Sequence, residues 1–200
     1  MAEQATEELP ATSRERDRES EIDDQRLALR RAALAHVRKL GDPVLRSSAL
    51  AVEHFDQVLL DQVASMSALM VDAMGVGLAA TQVGVLHRLL VYRVQPESRV
   101  LALVNPEIEW SGRELETMEE GCLSLPGVHV DVERPLHVRV RAQDEHGAPL
   151  RVEASGLEAR VIQHELDHLD GVLMLDRASR EQRREAMRAM REAAEPPPGV

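Results

Sequence analysis

Residues 157–169 read LEARVIQHELDHL and run directly into Asp170-Gly171. Apolar and small residues recur here at helical spacing and the Asp-Gly pair stops the run, so a helix is expected. Positions four apart on a helix stand one turn above each other on the same face. His164 and His168 are so placed, and both imidazoles can reach one metal ion. Glu165, beside the first of them, is then available as a general base. Leu157 and Val161 continue the same face, which is therefore expected to point into the core. Two histidines on a charged helix also arise by chance, so the pattern needs support elsewhere in the chain.

A catalytic site of this type wants three protein ligands and one open coordination position. Glu181 lies downstream in what reads as a separate, solvated helix. His129, His137 and His146 lie upstream, with His137 on the polar side of a strand and His146 in a turn. Cys122 stands in Glu119-Glu120-Gly121-Cys122-Leu123-Ser124-Leu125-Pro126, where a short apolar strand follows the glycine. A single cysteine excludes an internal disulfide and is either a buried small hydrophobe or a working thiolate. Taken alone, the first reading is the commoner one. Residues 75–82, GVGLAATQ, add small residues that let backbone approach a ligand closely, and an amide at Gln82 that can donate to an oxygen. They lack the third glycine of a dinucleotide loop and the Gly-Lys-Ser/Thr of a phosphate loop.

Around these segments the chain alternates in type. Leu59, Val63, Met66, Met70 and Ala73 predict an amphipathic helix over 56–74, with Gly75 as its stop and the methionines in the core. Residues 88–94 and 100–104 read as strands. Val138, Val140 and Ala142, then Leu150, Val152 and Ala154 about a turn at His146-Gly147, predict an antiparallel hairpin. A last helix is expected from Ser179, with Gln182 completing a capping box, to about Ala194. Residues 1–32 are charged and poor in large apolar groups, so a disordered arm is expected, with a helix over about 21–38. The order of elements indicates α+β.

The chain has 200 residues and a net charge of −11, which suits one domain and argues against general nucleic-acid or specific DNA binding. Phe55, Tyr92 and Trp110 are the only aromatics, so the core must be aliphatic. Lys39 is the sole lysine, a bias that points to a GC-rich bacterial genome. No stretch approaches the roughly 20 apolar residues of a membrane span. The mixed-charge start, with Glu7, Glu8, Arg14, Glu15 and Arg16, lacks the apolar centre of a secretory signal, so a cytoplasmic protein is expected.

Residues 75–82, 120–126 and 163–168, with Asn105-Pro106 and Gly171-Val172-Leu173 between and after them, resemble the three signature motifs of peptide deformylases in the same order. The resemblance runs from about 37 to 179. It implies a central metal-binding helix packed on antiparallel β-sheets, in one domain over 33–195 that includes a C-terminal helix at 179–194, followed by a flexible tail at 196–200. It implies that Cys122, His164 and His168 hold one divalent ion, Fe(II) in the cell, with zinc, nickel or cobalt able to replace it. Glu165 would be the general acid/base, and the Gln82 amide with the Leu123 backbone N–H would form the oxyanion site. Val76, Gly77, Met118, Leu157 and Val161 would line the substrate pocket for a methionine side chain.

The activity so implied is hydrolysis of the N-formyl group from the formylmethionine of nascent polypeptides, releasing formate. Similarity to deformylases that work at the ribosome suggests a ribosome contact through the arginine-rich helix at 179–194, although a solvated surface helix is the plainer expectation. Two rivals stand beside this reading. A metalloprotease would need no Cys122, and a degenerate relative would bind ribosome or peptide without catalysis. Arg160 departs from the apolar residue of many relatives and is expected to reach solvent. His129 stands where some relatives carry an arginine near the peptide groove. Asp167 and Arg134 are either a pair supporting the metal helix or two exposed charges.

Overall fold

A computed structural model describes residues 13–194, so the parts of the expected disorder at 1–12 and 196–200 lie outside the described residues. Five antiparallel strands form the larger sheet: β1 (Gly77–Ala79), β2 (Leu89–Tyr92), β3 (Leu101–Ser111), β6 (His137–Gln143) and β7 (Pro149–Ser155), in the order β1-β2-β3-β6-β7. β4 (Leu115–Cys122) and β5 (Leu125–Pro135) pair separately as a two-stranded sheet. The helices are α1 (Ser13–His36), α2 (Gln57–Asp72), α3 (Gly156–Leu169), the single turn α4 (Met174–Arg177) and α5 (Arg180–Ala194). The architecture is α+β.

Period-two alternation divides the large sheet between two helices. Leu78, Leu89, Val91, Ala102 and Val104 pack with Leu59, Met66 and Met70 of α2. Ala79, Leu90, Tyr92, Leu103, Val138, Val140 and Ala142 pack with Ala159, Val161, Ile162, Leu166 and Leu169 of α3. Each fully buried aliphatic side chain contributes roughly 1.5–3 kcal/mol of transfer free energy, which is how a core without many aromatics holds. A third cluster joins Leu125, Val128, Val130 and Val132 of β5 to Met174, Leu175 and Ala186. Helix α3 is buried on all sides from Ala159 to Leu169, so its polar residues must find partners inside the protein.

Several local expectations change. The helix expected over 21–38 begins at Ser13 and ends at His36; residues 23–32 are exposed and burial starts at Ala33. Just after α2 the left-handed residue is Met74 (φ 59), not Gly75. Gly75 is there for space, since a Cβ on it would stand 3.0 Å from Leu123 Cδ1. The strand expected over 100–104 continues through Asn105-Pro106 to Ser111, with a register shift between Val104 and Glu107. That irregularity holds because the Asn105 amide bonds the backbone of Val52 on both sides, at 2.8 and 2.9 Å. Of the 115–135 hairpin only a short apolar strand after Gly121 was expected, and α4 was not expected. Leu157, expected in the core, is 49% exposed in the first turn of α3, while Val161 one turn on is buried. Only half of the capping box at Ser179 forms: Gln182 N–H donates to Ser179 Oγ, but the Gln182 amide reaches across to Asp131 of β5.

Candidate metal centre

Two elements bring the three candidate ligands together. His164 and His168 lie on consecutive turns of α3, with ring centroids 5.0 Å apart. Cys122 ends β4 at a bulge, where the register with β5 shifts between Gly121 and Cys122. A bulge re-aims the side chain that follows it, and Cys122 Sγ comes to 3.2 Å from His168 Nε2. The ligand atoms of all three residues lie within 4.8 Å of one another. Ligands about 2.0–2.3 Å from one tetrahedral ion stand roughly 3.5 Å apart, so the donor set fits a single divalent ion after small adjustments.

The surroundings prepare each donor. Burial alone would push the Cys122 thiol up, but His168 and His164 beside it hold it well below the ordinary thiol range, and the thiolate is the form that binds metal. His164 Nδ1 stands 2.9 Å from Glu120 Oε2. A carboxylate accepts, so Nδ1 carries the proton and Nε2 is left for a metal. Glu120 is itself buried, which would raise its pKa, yet the hydrogen bonds and charge of Arg134, with those of His164, bring it down to about 2.

Glu165 is 4% exposed, and its Oε2 has no hydrogen-bond partner among the described residues. Burial raises its pKa. Gly77 of β1 makes its room, because a Cβ there would stand 2.9 Å from Glu165 Cδ. Gln82 sits in a short 3-10 turn after β1. Its Oε1 accepts from the Ala79 N–H at 2.8 Å, which turns Nε2 toward Ser124 Oγ (3.2 Å) and Cys122 Sγ (3.6 Å). Thr81 Oγ1 donates to the His168 carbonyl at 3.1 Å, so all three sequence segments are joined by side-chain hydrogen bonds.

The chain's similarity to known proteins follows this geometry. The sequence model of the polypeptide deformylase family matches residues 34–184. The chain belongs to that family. It is 49% identical over 145 residues to the peptide deformylase of Picosynechococcus sp., covering 71% of this chain and 78% of that one. With the Parafrankia sp. peptide deformylase the identity is 47% over 167 residues, covering 82% and 91%. The solved peptide deformylase of Synechococcus elongatus, in complex with actinonin, superposes with a TM-score of 0.75 at 45% identity, over 77% of this chain and 86% of that one. The Legionella pneumophila enzyme gives 0.74 at 40% identity, over 80% and 98%. Membership makes the chain a metal-dependent hydrolase of protein biosynthesis, and no finding favours a degenerate, non-catalytic relative. Among the described residues no helix is long and apolar enough to cross a membrane.

The remaining expected residues fall in different places. Val76 (46%), Met118 (40%) and Leu157 (49%) leave large apolar side chains part-exposed, while Val161 is buried. Glu181 is exposed on α5, outside the ligand cluster, and His129 is exposed on β5. Arg160 does not reach solvent. It is 5% exposed and pairs with Glu120 at 2.8 Å, because α3 is buried on all sides at this position and the hairpin offers acceptors there. Arg134 and Asp167 are a buried pair at 2.9 Å, not two exposed charges, and Arg177 of α4 pairs with the same Asp167. Sequence reading missed Glu120, Ser124, Thr81 and Lys39 as parts of the site. Lys39 Nζ donates to the Leu123 carbonyl at 3.0 Å; its being the only lysine was the one available signal.

Proposed function

We propose that the chain removes the formyl group from the N-terminal formylmethionine of nascent polypeptides, releasing formate, at one divalent ion held by Cys122, His164 and His168. The observation that carries this reading is the approach of a strand thiolate to within 3.2 Å of a helix imidazole. A metalloprotease of the rival kind has no use for that thiolate. Fe(II) is the ion proposed for the cell, with zinc, nickel or cobalt able to occupy the same donors. An ion there supplies Lewis acidity, polarising a carbonyl oxygen and acidifying a water.

Glu165 moves the protons. Its buried carboxyl accepts one from water as the formyl carbon is attacked and delivers it to the departing amine, a contribution of about 10²–10⁴-fold for a positioned acid/base. The Gln82 Nε2 and the Leu123 N–H donate to the formyl oxygen as charge gathers on it. Loss of one such donor costs about 10²–10³-fold. Val76, Gly77, Met118, Leu157 and Val161 receive the methionine side chain. Residues 33–195 act as one catalytic unit, working in the cytoplasm, and the helix at 179–194 offers arginines for a ribosome contact.

The decisive assay is formate release from formyl-Met-Ala-Ser by iron-loaded protein; no release sinks the proposal. Cys122→Ser should lose bound metal as well as activity. A variant that keeps its metal would return the protease reading.

A further inference from the structure

Glu120 receives a full set of donors. Oε1 accepts from Arg134 Nε (2.6 Å) and Arg160 Nη1 (2.8 Å), and Oε2 accepts from Arg134 Nη2 (2.9 Å) and His164 Nδ1 (2.9 Å). A carboxylate has about four acceptor sites, so this one has no freedom to rotate away from His164. Arg160 does more than fill one of the four. Its Nη1 also donates to the Val132 carbonyl of β5 at 2.9 Å, and its Nη2 to the Glu116 carbonyl of β4 at 2.7 Å. One α3 side chain thus grips both strands of the hairpin that carries Cys122. The other α3 bonds to that hairpin each reach a single strand: His164 and His168 meet β4, while Asp167 and Gln163 meet β5. Arg160 Nε is buried without a partner among the described residues. An unpartnered buried donor costs stability, so this arginine is a poor choice as mere filler.

We infer that Arg160 is a positioning residue that presets the metal triad: it locks the Glu120 carboxylate against His164 and fixes the thiolate-bearing hairpin at bonding distance from the two imidazoles of α3. The inference rests on the reading that Cys122, His164 and His168 hold the ion. Ligands from two separate elements bind tightly only if the elements are held in register beforehand, and outer partners of metal ligands are typically worth about 10–100-fold in affinity.

The test compares wild type, Arg160→Met and Arg160→Lys, each loaded with Co(II), by the thiolate-to-cobalt absorption band and by the rate of cobalt release to a chelator. Arg160→Met should release cobalt about 10–100-fold faster, with a weakened or shifted band. Arg160→Lys keeps the charge but cannot reach Glu120 and both carbonyls together, so its rate should fall between the two. Release and spectrum like wild type in either variant overturn the inference, even if thermal stability drops. Should Arg160→Met fail to fold, Arg160→Lys alone decides. Failure of the underlying reading looks different, because cobalt would then persist in Cys122→Ser.

Discussion

Replacing Gly77 with alanine displaces Glu165 while leaving the three metal ligands untouched, and a kcat read at saturating substrate separates that effect from any change in the methionine pocket. Gly77 does not have a positive φ, so alanine meets no backbone penalty. Its Cβ, however, would stand 2.9 Å from both Cδ and Cγ of Glu165. Carbon atoms settle at about 3.5–4.0 Å, so the carboxyl must retreat by roughly half an ångström or more. Both Cγ and Cδ are met, which prevents a simple swing of the carboxylate tip. Displacements near 1 Å cost about 10²-fold in rate, and complete loss of a general acid/base costs about 10²–10⁴-fold. We therefore predict a kcat for formyl-Met-Ala-Ser lowered about 10–100-fold, with the metal content unchanged, because no ligand is touched. Glu165→Gln in the same assay sets the floor. A Gly77→Ala enzyme with kcat within twofold of wild type would falsify the assignment of proton transfer to Glu165 as placed here.

Other perturbations read other parts of the structure. Arg134→Met leaves Glu120 and Asp167 short of their shared cation in a buried setting and should cost about 3–5 kcal/mol of unfolding free energy; urea titration showing under about 1 kcal/mol would mean that solvent reaches the network. Lys39→Met removes the donor to the Leu123 carbonyl and should lower kcat several-fold while Lys39→Arg retains most of it. Equal activity in both lysine variants would show that the Leu123 backbone needs no outside support. Asp56→Ala removes the side chain that accepts from Val58 and Leu59 N–H at the start of α2 and should cost about 1 kcal/mol with activity unchanged; a loss of activity at constant metal content would link α2 to the site in a way that its packing does not suggest.

The readable parts of this protein were those whose signals are local. His164, Glu165 and His168 declare themselves because helical periodicity turns a spacing of four into a shared face. The 137–155 hairpin follows from alternation and a turn, and Asp56 to Ala73 from amphipathic spacing. The β4–β5 hairpin went unread apart from a short strand after Gly121: Val128, Val130 and Val132 alternate along β5, but its β4 half, with Glu116, Met118 and Glu120 among polar neighbours, carries no such alternation and hid the pair. What tertiary structure alone decided was which charges are inside. Arg160, Arg134, Glu120 and Asp167 look like surface residues in sequence, since charge is normally solvated. They become an interior network only because α3 is enclosed by two sheets, and a buried charge must then find its partner on another element. No spacing along the chain records that pairing, because the partners come from strands and helices 14 to 44 residues apart.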